Sequence, residues 1–238
     1  MKRTIFILIF SCTFGLCQEI PPVTELVNNI SAQFERIEDY SVKVKISVDM
    51  PLFRMPRKRI ELYYKKPDKL KIESDGFAVV PRSGLTISPD MFLSQLESVT
   101  VVRDETGGYF VTGNVLADSL DFPVSGASDS TEVSITVHVK SNPWVIDRVE
   151  AVSDTATVFA IKSEYEEVTP EIWMPVLTHI QIQFPDMDQN IMQQHGPAQM
   201  LELSKEPAKE GEIKIEYYKY KINKGIRDSF FNNADKYF

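Results

Sequence analysis

RKRIELYYKKPDKLKIES, residues 57–74, is the stretch on which the fold turns. Arg59, Glu61, Tyr63 and Lys65 alternate with Ile60, Leu62 and Tyr64, so an extended chain here has one wet face and one apolar face. The run breaks at Lys66-Pro67-Asp68, after which Leu70 and Ile72 resume the apolar side. Two short strands meeting at a turn are the simplest reading.

Upstream, Lys2-Arg3, an apolar run over residues 4–10 and the approach Gly15-Leu16-Cys17 read as a signal peptide over residues 1–17, cut before Gln18. The run is too short to span a bilayer. Ile9-Phe10-Ser11-Cys12 loosely resembles the box before a lipidated cysteine, which leaves a membrane anchor through Cys12 as an alternative to plain cleavage. Both cysteines, Cys12 and Cys17, fall within this segment, so the processed chain would carry neither a disulfide nor thiol chemistry. About 220 residues remain, a fitting size for one all-β domain over residues 18–238. Without Lys2 and Arg3 the balance is 24 basic against 34 acidic residues, a net charge of −10. Phosphate binding needs a basic surface, so nucleic acid is not an expected partner.

Beyond Pro21-Pro22, the spacing of Leu26, Val27, Ile30, Phe34 and Ile37 predicts an amphipathic helix over residues 23–37. Val42, Val44, Ile46 and Val48 then alternate with Lys43, Lys45 and Ser47 as a half-buried strand. A loop over residues 50–56 leads into strands at 57–65 and 68–74. Shorter strands are expected at 77–80, 84–87, 99–103 and 108–112, the last two joined through Gly107-Gly108. Ser88-Pro89-Asp90 has the form of a helix start and predicts a short helix over residues 91–97. Longer strands follow at 133–139, 144–152, 156–165, 172–184 and 213–222, with residues 186–211 read as a loop insertion. So many strands joined by short turns favour a sheet that curls. The expected fold is mainly β (α+β). A curved antiparallel sheet would form an incomplete barrel, with the N-terminal amphipathic helix and a short lid helix on its concave side.

The signal peptide, the amphipathic helix, a strand ending in a dipeptide like Tyr40-Ser41 and the Lys66-Pro67-Asp68-Lys69 turn together resemble the periplasmic outer-membrane lipoprotein carriers and sorting proteins (LolA/LolB-like). Tyr165-Glu166-Glu167-Val168, Met174-Pro175 and the closing stretch from Tyr220 to Phe230 are similar to that family's later strands and tail. Lys71-Ile72 departs from the Arg-Trp that often follows the family's proline turn. The resemblance implies a non-catalytic carrier, periplasmic and monomeric. It would bind acyl chains of lipoproteins or lipids, touch membranes transiently, and work between an inner-membrane exporter and an outer-membrane acceptor. It implies no cofactor. A sensing or regulatory module that binds lipid or protein on the same fold is the alternative.

In a half-barrel the site is the concave apolar surface, where acyl chains bind by burial at about 0.8 kcal/mol per methylene. Candidate lining residues are Val44, Ile46, Leu62, Tyr64, Leu70, Ile72, Ile135, Val137 and Ile180, with Met91, Phe92 and Leu96 from the lid. The same alternation equally describes an ordinary core packed under helices. Leu52, Phe53 and Met55 make an apolar tip followed by Arg57, Lys58 and Arg59, a pattern suited to an anionic membrane or an apolar partner; the other reading plugs the barrel end with Leu52 and Phe53. Polar chemistry is sparse. His138, His179 and His195 lack metal-like spacing and read as surface histidines. Asp186-Met187-Asp188-Gln189-Asn190 begins like a calcium loop but has Ile191 and Pro197 where a glycine and an acid are needed. No nucleophile elbow or phosphate loop is present, and no catalytic or metal-binding residue is assigned.

Overall fold

The computed structural model describes residues 20–50, 53–74, 93–116, 132–153, 156–183 and 210–231, without the side chains of Gln33, residues 53–56 and Ala156. The signal peptide with Cys12, the strands expected at 77–80 and 84–87, the helix start at 88–90, Leu52, Met91, Phe92 and His195 lie outside these residues.

One helix, α1 (Val23–Phe34), precedes β1 (Asp39–Met50), β2 (Phe53–Lys65), β3 (Lys69–Ser74), β4 (Glu97–Arg103), β5 (Tyr109–Leu116), β6 (Glu132–Ser141), β7 (Trp144–Ser153), β8 (Ala156–Thr169), β9 (Ile172–Gln183) and β10 (Glu210–Ile222). The strands form a single ten-stranded sheet in the order β3-β2-β1-β10-β9-β8-β7-β6-β5-β4. Every pairing is antiparallel. Apart from β3 and β4, consecutive strands pair with each other, and the one long-range closure brings β10 back to β1, which leaves β3 and β4 as the outer strands. Among the described residues no pairing joins those two, so the sheet is an incomplete barrel of mainly β character, as its alternating sequence predicts.

Register explains why one face becomes the core. Val48, Ile213, Ile180, Ile161, Val149, Val137, Val111 and Val101 stand opposite one another in turn from β1 through β10 and across to β4. A slip of one residue at any strand would turn its apolar set outward, so this unbroken row holds the pairing in place. α1 lies against β7 and β9 and buries Leu26 and Ile30 completely or nearly so, at 0 and 2 % exposed. Each such burial stabilises by about 1.5–3 kcal/mol.

Some boundaries differ from the sequence expectation, each for a local reason. α1 stops at Phe34; the Ile37 N–H bonds the Phe34 carbonyl in a tighter turn, yet Ile37 remains buried. Residues 50–56 are not a broad loop. Met50 pairs with Phe53 and Val48 with Met55, so β2 begins at Phe53 and only residues 51–52 connect the strands. The register shift between Ile46 and Val48 falls near Pro56, which has no N–H to give a regular ladder. Glu97 does not end a helix. It opens β4 opposite Asn114, after a short turn in which Leu96 packs where a Cβ on Gly113 would meet it at 2.9 Å. Glu210 and Gly211, expected in the insertion, are the first residues of β10.

Candidate functional site

The concave face has two wings. The candidate lining residues Ile135 and Val137 on β6 and Ile180 on β9 belong to the wing that carries α1, and none is more than 3 % exposed. Val44 and Ile46 on β1 and Leu62 on β2 are equally buried in the core. Leu96 is buried at the edge of the sheet. Tyr64, Leu70 and Ile72 differ: they are half-buried, pack against the core and stand together on β2 and β3. Cross-strand pairing of Tyr64 with Leu70 and of Leu62 with Ile72 makes them one patch. Accessible apolar surface among the described candidates is therefore concentrated on the β2–β3 wing.

Beside this patch the aliphatic floor gives way to tyrosines. Tyr40 lies 5.3 Å from Tyr64 and 6.4 Å from Tyr220, centroid to centroid. Lys219, at φ 58°, breaks the strict alternation of β10, so Tyr217 and Tyr220 both take inner-face positions. Most of these hydroxyls are committed to protein partners. Tyr64 donates to the Pro67 carbonyl at 3.1 Å, Tyr165 to Ile146 at 2.9 Å and Tyr220 to Pro175 at 2.7 Å. Burial, the chief cause, raises the Tyr217 hydroxyl to about 12 and pushes those of Tyr165 and Tyr220 further up. The tyrosines are thus neutral and offer rings, not charge, to whatever lies against them. Ser163 and Thr178 hydrogen-bond each other at 3.1 Å inside the same face. The sequence contains every one of these residues, but the strand irregularity that gathers them leaves no sequence signature.

The basic cluster is split by the sheet. Lys58 stands opposite Ile46, an inner-face position, and is half-buried, whereas Arg57 and Arg59 are exposed on the other side. Lys58 therefore does not share a face with Arg57 and Arg59.

One polar constellation went unread in the sequence. His138 is 9 % exposed and lies on the outer face with Phe110 packed 4.7 Å from its ring. Its Nε2 is 2.8 Å from Asp104 Oδ2 and its Nδ1 contacts Asp147 Oδ1. Both contacts are hydrogen bonds only if both ring nitrogens carry protons. Lys140 Nζ adds a 3.0 Å pair with Asp147. The bond from His138, first, and those from Thr106 and Gly108 hold the Asp104 carboxyl well below the usual carboxylate range. The two carboxylates occupy different ring nitrogens, an arrangement that ties the β4–β5 turn to β6 and β7 and leaves no nitrogen free to take a proton from a substrate. His179, by contrast, is at the surface beside Glu212, at 3.2 Å.

Two shallow grooves, of about 410 and 380 Å³, have mixed walls: Glu97, Asn114 and Glu132 in one, Lys140, Asn142 and Trp173 in the other. Neither supplies the continuous apolar wall an acyl chain requires. Among the described residues no group of three or more His, Cys, Asp or Glu side chains could hold a metal ion, and no helix is long and apolar enough to cross a membrane.

No family model and no curated protein matches the sequence. Solved structures do match in fold. A structure assigned to an outer membrane lipoprotein-sorting protein domain from Vibrio parahaemolyticus aligns with TM-score 0.52 at 9 % identity, over 89 % of this chain and 97 % of that one. A LolA superfamily protein from Nitrosomonas europaea aligns with TM-score 0.50 at 10 % identity, over 89 % and 97 %. The chain therefore shares the LolA-like fold of these two structures.

Proposed function

We propose that this chain is an exported, non-catalytic carrier that shelters acyl chains of lipoproteins or lipids and delivers them to a membrane. The observation that carries the reading is the half-buried Tyr64, Leu70 and Ile72 patch, contiguous across β2 and β3 on the apolar face of a sheet that does not close. Burial alone supplies the affinity, at about 0.8 kcal/mol per methylene, so the site needs no acid, base or metal. The carrier would act in the periplasm as a single domain, taking cargo from an inner-membrane exporter and passing it to an outer-membrane acceptor. Leu52, Phe53 and Met55 would touch the membrane during transfer, with Arg57 and Arg59 assisting on an anionic surface.

Mass spectrometry of organic extracts from protein purified out of its native envelope tests this directly. Co-purifying acylated species are expected; a consistently empty protein would favour a sensing module on the same fold. For the contact region, Leu52→Ser with Phe53→Ser is expected to weaken liposome binding while leaving the fold intact, and unchanged binding would remove the membrane role from this tip.

A further inference from the structure

The outer face of the β2–β3 hairpin, whose alternation predicts a solvated surface, carries the chain's own tail. That tail has two parts. In the first, Asn223 and Gly225 take φ of 53° and 78°, and the turn they make aims three N–H groups at one carboxylate. Asp39, only 4 % exposed, accepts from Lys224 at 2.9 Å, Gly225 at 2.9 Å and Ile226 at 3.1 Å. Asn223 adds bonds back to the Glu38 N–H and the Arg36 carbonyl. This is a firm anchor of charge-assisted bonds to backbone.

The second part is held differently. Asp228–Phe230 forms a 3-10 turn over the outward side chains of β2 and β3. Lys65 and Lys69 converge on Asp228 Oδ1, at 2.6 and 3.3 Å. Lys71 donates to the Phe230 carbonyl at 3.2 Å and stands 3.9 Å over its ring, while Tyr63 meets that ring edge-on at 4.6 Å. Glu73 takes another side of Lys71, at 3.0 Å. Asp228 itself is 64 % exposed, so its ion pairs are surface pairs that salt screens. Phe231 is buried, which keeps the turn closed by default.

Two lysines thus share one exposed carboxylate, and a third stacks on an aromatic ring, in a chain whose overall charge is strongly negative. We propose that Lys65, Lys69, Lys71 and Tyr63 form a docking surface for an acidic–aromatic segment of a partner protein. The chain's own Asp228-Ser229-Phe230-Phe231 is the self-ligand that fills it until displaced. The Asp39 anchor keeps the self-ligand at high local concentration, so only a segment that binds better, or binds at several points, opens the surface. Opening is local: Lys65 keeps its 2.7 Å bond to the Ile226 carbonyl, and the Asp39 anchor and the sheet stay in place. The proposal does not depend on acyl carriage.

A synthetic peptide with the sequence of residues 226–231 is the probe. It is expected to bind the full-length Asp228→Ala/Phe230→Ala variant at least about tenfold more tightly than the wild-type chain, because the variant's own turn no longer competes. Adding Lys65→Glu and Lys71→Glu should abolish that gain. Equal binding to variant and wild type, or a gain that survives the charge reversals, overturns the proposal. So does a variant that ignores the peptide and binds vesicles of phosphatidylcholine and phosphatidylglycerol at roughly 3:1, which would make the surface a membrane contact. Amide exchange in the wild-type chain keeps the test decisive if the variant unfolds. Excess peptide should speed exchange at residues 228–231 and spare Lys224, Gly225 and Ile226; no acceleration, or acceleration of both parts together, contradicts a separately displaceable turn.

Discussion

The two wings of the inner face start from the same alternating pattern and end in different states. On the wing of β6, β7 and β9, Val137, Val149 and Ile180 are buried and form a core, with α1 lying against β7 and β9. On the wing of β2 and β3, Tyr64, Leu70 and Ile72 keep part of their surface accessible. Alternation therefore says which face is apolar, and position in the sheet, central or at the β3 edge, goes with how much of that face stays accessible. α1 lies against β7 and β9, and the proposed site lies away from it on β2 and β3.

Substitution on each wing should break this comparison in opposite ways. The largest effect is expected for Val137→Asp, which leaves a charge with no partner in the sealed wing; a loss of about 3–5 kcal/mol should leave the protein mostly unfolded in urea titration. Leu26→Ala removes the helix's deepest contact and should cost about 2–5 kcal/mol, with the sheet's midpoint shifting together with the helix signal. His138→Gln comes next, at about 2 kcal/mol, because Gln cannot bond both carboxylates. This term has a pH signature. The Asp104 carboxyl is held below its ordinary 3.8 in the folded protein, so its contribution is complete above that value and is lost as pH falls through the lowered one. Wild-type stability should therefore decline below about pH 4, and Asp104→Asn should flatten that part of the profile in thermal melts. The smallest stability change is expected for Leu70→Ser and Ile72→Ser, about 1 kcal/mol each, yet these two should weaken acyl binding about tenfold. Equal instability on both wings would erase the distinction.

Much of this division was legible in the chain. The turn at Lys66-Pro67-Asp68, the helix carrying Leu26 and Ile30, and the long second-half strands follow from spacings of two, three and four residues, which sequence displays directly. What stayed hidden depends on partners far along the chain. Asp39 is buried because residues 224–226 return to it, and His138 because Asp104 in a distant turn meets it. The outer face of β2–β3 looks solvated until Asp228 and Phe230 are laid across it. Likewise, nothing in residues 217–220 announces that Lys219 turns two tyrosines to one side. Which lining residues would be sealed was also unreadable, since Val44 and Leu70 sit in similar local patterns and differ in strand position, β1 being paired on both sides and β3 on one.

The central claim is that the open wing, not the sealed one, takes the acyl chain. A palmitoyl analogue with a photoreactive group, irradiated with the purified protein and mapped by peptide mass spectrometry, tests it most directly. The account predicts adducts concentrated on Tyr64, Leu70 and Ile72 and suppressed by unlabelled palmitate. Adducts confined to β6, β7 and β9, or a pattern indifferent to competition, would contradict it.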